Sequence, residues 1–210
     1  MGDSISFTIK INGQVMPHDF VVYSIECTSQ FHHTSTAQIT FLCVISPEDN
    51  MSTAITDVFK FSNEVIIEAG YDGHNQTIFK GVVSAQRIIT NESNNLFLII
   101  TCKGKEPVIV TDTVSQNAAL TLAYGDNILS IDLSAGKNST SILPADSLYE
   151  TTGAVKFQGT SVVEAGSEIS ISNIGSPFNK TYLATGITHY IADGNWITGA
   201  HLTFKESILP

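Results

Sequence analysis

The chain has 210 residues, 42% of them hydrophobic, which is enough for one or two packed domains. Only 14% are charged and the balance is acidic, with 20 Asp and Glu against 10 Lys and Arg and a net charge of −10. A charge fraction so far below the roughly 25% of an ordinary soluble domain leaves Ser, Thr and Asn to supply the polar surface and suggests that partners cover much of it. A single arginine, Arg87, in an acidic chain argues against binding a phosphate backbone, so nucleic acid is not the expected partner.

In chain order, Met1-Gly-Asp-Ser-Ile-Ser6 lacks the basic and apolar segments of a signal peptide, so assembly in the cytoplasm is expected. Ile5–Ile11 alternates apolar and polar residues and ends at Asn12-Gly13, a strong two-residue hairpin turn. Phe20–Cys27 reads as the next strand, His32-His33 as a connection, and Ala37–Ile45 as a nearly continuous apolar strand in a sheet centre. Ser46-Pro47-Glu48-Asp49 has the chemistry of a capped helical turn. Strands follow at Glu64–Tyr71, Thr77–Ile89 and Leu96–Lys103, separated by the turns Asp72-Gly73 and Asn91–Asn95.

Between Lys103 and Gly153 the pattern weakens to one hairpin, Leu120–Leu133 around Gly125-Asp126, between polar flanks. The last third returns to short strands. Val155 and Phe157 alternate with polar neighbours, Ile169, Ile171 and Ile174 follow, and Tyr182–Ile191 leads through Asp193-Gly194-Asn195 into a final strand opening at Trp196. No long amphipathic helix appears and no apolar run is long enough to span a membrane, so the expected class is all-β. Glu64–Gly70 and Ser167–Asn173 are locally similar, a hint that two related units share the chain.

No chemistry assembles in this pattern. Cys27, Cys43 and Cys102 are too few and too far apart for a disulfide framework or a metal knuckle and read as buried free thiols. The six histidines lack the spacing of a zinc site, and His32-His33, if on a strand, would face opposite sides of it. There is no nucleophile elbow and no phosphate-cradling glycine loop. Asp72, Asp126 and Asp193 each adjoin a glycine, where turn chemistry explains them without catalysis. The expectation is no catalytic, cofactor or metal site, and no enzyme.

Val65-Ile-Ile-Glu-Ala-Gly-Tyr71 followed by Phe79-Lys-Gly-Val-Val83 resembles the first barrel of the hub proteins of contractile injection systems: VgrG-type spike proteins of type VI secretion, the spikes of extracellular systems and phage baseplate hubs. Leu120–Leu129 is similar to a later hub segment. Val155–Gly159, Gly166, Phe178-Asn179 and His189–Trp196 resemble the end of the second barrel. The resemblance implies two related antiparallel β-barrels of the phage tail-hub type, with little helix: residues 2–110 as the first barrel, 111–152 as a linker with a hairpin at 120–133, and 153–210 as the second barrel with strands contributed by 118–134.

It also implies a homotrimer whose six barrels form a pseudo-six-fold adaptor, docking a tail-tube (Hcp-like) protein on one side and a spike, β-helical tip or baseplate protein on the other, within an injection particle. Two features depart from the family. Short stretches stand where the family usually holds an α/β segment after the first barrel and further residues before the Val155-like stretch, so the expectation is either a reduced hub or a piece of a longer chain, and the spike domains are expected from another chain or a missing part. The expected interface residues are the two hairpin tips, Asp72, Gly73, His74 and Asn75 in the first barrel and Asp193, Gly194, Asn195 and Trp196 in the second. The alternative is an all-β carbohydrate-binding or adhesin-type module. It would need a face of exposed aromatics, and one tryptophan is poor material for that.

Overall fold

The structure is a computed structural model that describes residues 4–43, 51–107, 120–137 and 149–205. The helical turn expected at Ser46–Asp49 lies outside these residues. The described chain is almost entirely strand: β1 (Ile5–Ile11), β2 (Gln14–Val15), β3 (Val22–Gln30), β4 (Thr34–Cys43), β5 (Glu64–Tyr71), β6 (His74–Thr90), β7 (Leu96–Pro107), β8 (Leu120–Ala123), β9 (Ile128–Lys137), β10 (Tyr149–Gln158), β11 (Glu168–Ser172), β12 (Lys180–Ala192) and β13 (Asn195–Lys205). A helix, α1 (Met51–Val58), interrupts them.

The expected class is borne out, and so is the turn chemistry. Asn12-Gly13, Asp72-Gly73 and Asp193-Gly194 all hold positive φ at both positions, the backbone that the right-handed twist of a two-residue hairpin requires. The three cysteines are buried free thiols, as expected.

The strands form one hydrogen-bonded sheet in the order β2-β1-β5-β6-β7-β4-β3-β12-β13-β10-β9, with β11 also on β12 and β8 on β11. This sheet curls around two separate hydrophobic cores. One gathers Ile25, Ile39, Phe41, Val65, Ile67 and Leu98 among others; the second gathers Val155, Phe157, Ile169, Ile171 and Tyr182. α1 was not expected from the sequence, since Ile55, Val58 and Phe59 offer barely one turn of helical period. It caps the first core with fully buried Ile55, joined by Phe59, the residue after its end. The corresponding connection of the second barrel is an irregular loop that inserts Val163.

Two ladders differ from the sequence reading. β10 begins at Tyr149, four residues before Gly153. The turn around Gly125-Asp126 is present, but β8 and β9 do not pair as a hairpin: β8 runs parallel to β11 while β9 pairs with β10. Asn127 holds the turn from its side chain, accepting from Ala123 N and donating to Thr121 O, and lets the two strands diverge.

The two barrels are an internal repeat. Taking six strands of each in chain order (β1, β3, β4, β5, β6, β7 and β8, β9, β10, β11, β12, β13), both follow the spatial order 2-3-6-5-4-1. The match extends to single residues. β6 carries a bulge at Ser84 against β7 and β12 one at Thr185 against β13, and each bulge hydroxyl donates to the carbonyl across the ladder, Ser84 Oγ to Thr101 O at 3.1 Å and Thr185 Oγ1 to His201 O at 3.3 Å. Just before the bulge, Val83 exchanges backbone bonds with Ser62 and Asn63, as Ala184 does with Gly166 and Ser167. A second pair of bulges sits at Tyr23 of β3 and Leu129 of β9. Glu64 and Glu168, the first glutamates of the two locally similar segments, therefore start equivalent strands. The first strand differs: β1 lies antiparallel to β5, whereas β8 lies parallel to β11.

Candidate assembly surface at the junction of the barrels

The barrels meet along a β-ladder. β12 pairs with β11 through Lys180–Leu183 and then, past the Thr185 bulge, offers the same edge to β3, from Gly186↔Gln30 to Ala192↔Ser24. The carbonyl of the bulged Thr185 accepts from Phe31 N at 3.0 Å and closes the end of this ladder. Midway, Thr28 and Thr188 hydroxyls lie 3.4 Å apart, and Cys27 faces His189.

Around this seam the side chains of both units interlock. Trp196 is only 3% exposed and, with Ile191, packs into the first core although both belong to the second unit. Its indole stacks on Tyr71 at 5.6 Å and 27°. Tyr71 OH donates to Gly159 O at 3.0 Å, and Gly159 N donates back to Trp196 O at 2.8 Å, so one residue of β10's exit loop ties both aromatic neighbours. A Cβ on Gly159 would stand 2.1 Å from the indole ring, which leaves room for glycine only. Trp196 Nε1 is buried with no acceptor among the described residues.

His189, 6% exposed, lies 5.8 Å from the indole and shares a 3.1 Å hydrogen bond with Thr198 Oγ1. Burial pushes its pKa down to about 4, so the imidazole is neutral at pH 7. Burial also raises the thiols on the other side of the seam, Cys102 to about 12 and Cys27 beyond the usual range, so neither is a thiolate nucleophile. His189 and Cys27 line a cleft of about 270 Å³ between the barrels, bridged at its rim by Ser161 Oγ donating to Gln76 Oε1 at 2.9 Å. Burial disfavours both the charged imidazole and the thiolate, so His189 and Cys27 do not make an activated base–nucleophile pair, and among the described residues no group of three potential metal ligands occurs.

The structure places both expected tips beside this junction. Asp72-Gly73 forms the β5–β6 turn, with His74 and Asn75 opening β6, and Asp193-Gly194 the β12–β13 turn, with Asn195 opening β13; the neighbouring Tyr71 and Trp196 are the stacked pair. Asp72, Gly73, His74, Asp193, Gly194 and Asn195 are exposed, whereas Trp196 is inside. Asn75 is committed to the first barrel, accepting from Ser6 Oγ at 2.6 Å and donating to Thr8 Oγ1 at 3.1 Å, while Asp72 Oδ1 accepts from Ser4 N. Sequence reasoning missed Tyr71, Gly159 and His189, because their roles exist only across the seam.

The architecture has known counterparts. A family model described as the Alg8 N-terminal domain matches residues 1–111. No curated protein matches the chain. Among solved structures, the 43 kDa tail protein of prophage MuSo2 from Shewanella oneidensis superposes with a TM-score of 0.62 at 8% identity, over 95% of this chain and 98% of that one. The tail protein from Neisseria meningitidis MC58 gives 0.61 at 10% identity, over 97% of each chain. The Francisella PdpA-VgrG complex gives 0.52 at 8% identity, over 100% of this chain and 55% of that one. At these identities the likeness is one of fold, and it bears out the tail-hub type of architecture expected from the sequence.

Proposed function

The chain belongs to the family of the Alg8 N-terminal domain, and on that premise we propose that it is a structural hub of a phage tail-like contractile injection machine. Three copies form a ring whose six barrels match a six-fold tail tube on one face and a three-fold spike or baseplate on the other. The observation that carries this reading is the internal repeat: one chain holds two copies of one six-strand topology, down to the bulges at Ser84 and Thr185. A ring of three such chains presents six near-equivalent barrels, and closed rings use heterologous, head-to-tail contacts. The role is one of rigid positioning, with no catalytic step and no cofactor.

The hairpin tips Asp72–Asn75 and Asp193–Asn195 supply contacts to the neighbouring ring or spike, carried on the fixed platform of Tyr71 and Trp196. The phage tail proteins and the VgrG-containing complex that share the fold support this reading. Native mass measurement of the purified chain, with and without its tail-tube protein, tests it. The expected species is a trimer that binds the tube protein. A strict monomer at high concentration that also fails to bind tube protein would sink the proposal.

A further inference from the structure

The seam inside the chain uses one edge from each barrel, and the repeat leaves the counterpart of each edge bare. Within the chain, β3 of the first barrel pairs with β12 of the second beyond the Thr185 bulge. The equivalent of β12 is β6. Its residues Ala85–Thr90, beyond the Ser84 bulge, pair with β7 on one side and with no described strand on the other. The equivalent of β3 is β9, which pairs with β10 only. β9 ends the sheet path, while the bare stretch of β6 lies within its first-barrel half, four strands before β12, so one chain cannot join the two edges without closing on itself. A second copy can.

We propose that β9 of one copy adds, antiparallel, to the free edge of β6 in the next, reproducing between chains the β3–β12 ladder found within the chain. The register follows from the repeat. Cys27 and Leu133 are equivalent because they face Ala37 and Gly153, which in turn face Cys102 and Leu202. Ile88 and His189 are equivalent because each lies three residues past the position that follows the bulge. Since His189 faces Cys27, Ile88 faces Leu133 of the second copy, and the ladder runs from Ala85 opposite Gly136 to Thr90 opposite Ile131.

Burial and charge fit this pairing. His189 is 6% exposed where the seam covers it, whereas Ile88, at the same place in the repeat, is a 55% exposed isoleucine on a strand. A large apolar residue bare on an edge strand invites a partner. On the opposite face, Arg87 and Asp132 are both exposed, and in this register they become diagonal neighbours of opposite charge, within reach across a strand pair. Arg87, the chain's one arginine, makes no ion pair among the described residues.

This inference rests on the proposed ring and specifies its contact, so its test separates the two. Ile88→Cys chain is mixed with Leu133→Cys chain and oxidised, and the native mass of unmodified protein is measured in parallel. The cross-linked heterodimer is expected to exceed that from Ile88→Cys with Asp132→Cys on the order of tenfold, because in the control the two Cβ vectors leave opposite faces. Gln86→Cys with Ala135→Cys, also opposite each other in this register and free of Leu133, repeats the measurement if Leu133→Cys fails to fold. An oligomer by mass with no in-register excess overturns the inference and leaves the ring. An in-register cross-link in a protein that never reaches a trimer leaves the strand pairing and overturns the ring. Neither oligomer nor cross-link overturns both.

Discussion

The two barrels share strand order, bulges and bulge hydrogen bonds, yet past the bulge β12 is covered and β6 is bare. His189 and Ile88 occupy the same place in the repeat. One is buried under β3 and neutralised by that burial; the other is more than half exposed. The barrels also differ in how they are plugged, by Ile55 of α1 and Phe59 just after it in the first and by Val163 from a loop in the second. The repeat thus fixes the ladder geometry, while side chains are free to specialise according to what covers them. In the covered copy the edge carries a polar residue that finds a hydrogen bond, His189 to Thr198, and in the bare copy it carries an aliphatic one.

The largest way to break the comparison is to remove what makes the second barrel's seam different. Trp196→Ala empties a buried indole site shared by both units and is expected to cost about 4 kcal/mol in denaturant unfolding. If the two barrels were independent, the loss would fall on one transition only; a single broadened or lowered transition for both cores is the expected result.

Next is pH. The folded-state pKa of His189 is depressed to about 4 from an ordinary value near 6.5, so the unfolded chain binds the proton more readily. The neutral imidazole's contribution is fully present above pH 6.5 and is lost as pH falls towards 4, by up to roughly 3 kcal/mol. His189→Gln should flatten stability between pH 6.5 and 4 relative to the parent; an unchanged slope would place the titration elsewhere. Exposed Ile88 predicts no counterpart of this slope in the first barrel.

The smallest effect compares the plugs. Ile55→Ala should cost about 3 kcal/mol, within the usual range for a buried isoleucine, and Val163→Ala about 2 kcal/mol, for two fewer buried methyl groups. Equal losses in thermal or urea unfolding would mean that the loop supports its core as firmly as the helix does.

Most of the local structure was legible in the sequence, because period-two alternation and Asn-Gly or Asp-Gly turns act over a few residues. The hint of a repeat was legible too, since Glu64–Gly70 and Ser167–Asn173 do cover equivalent strands, with Glu64 matching Glu168 rather than Ser167. Three things were not. The short α1 falls below the length at which helical period stands out. The parallel pairing of β8 with β11 contradicts the local turn, which alone suggests a hairpin. The β3–β12 ladder joins residues more than 150 positions apart, and nothing local encodes it. For the same reason the two candidate tips were readable as turns, whereas Tyr71 stacking on Trp196 and the tie through Gly159 were not.

The β3–β12 ladder has a mechanical consequence. Its strands run antiparallel and lie side by side from Ser24 to Gln30, so a force dragging one barrel along the strand axis loads the ladder in shear. Hydrogen bonds in shear share the load and must yield together, whereas peeling would break them one at a time. The bulged Thr185, bonded to Phe31 at one end and to His201 through its hydroxyl, anchors the end where peeling would begin. A pull on one barrel is therefore passed to the other as a rigid displacement, without a hinge to absorb it.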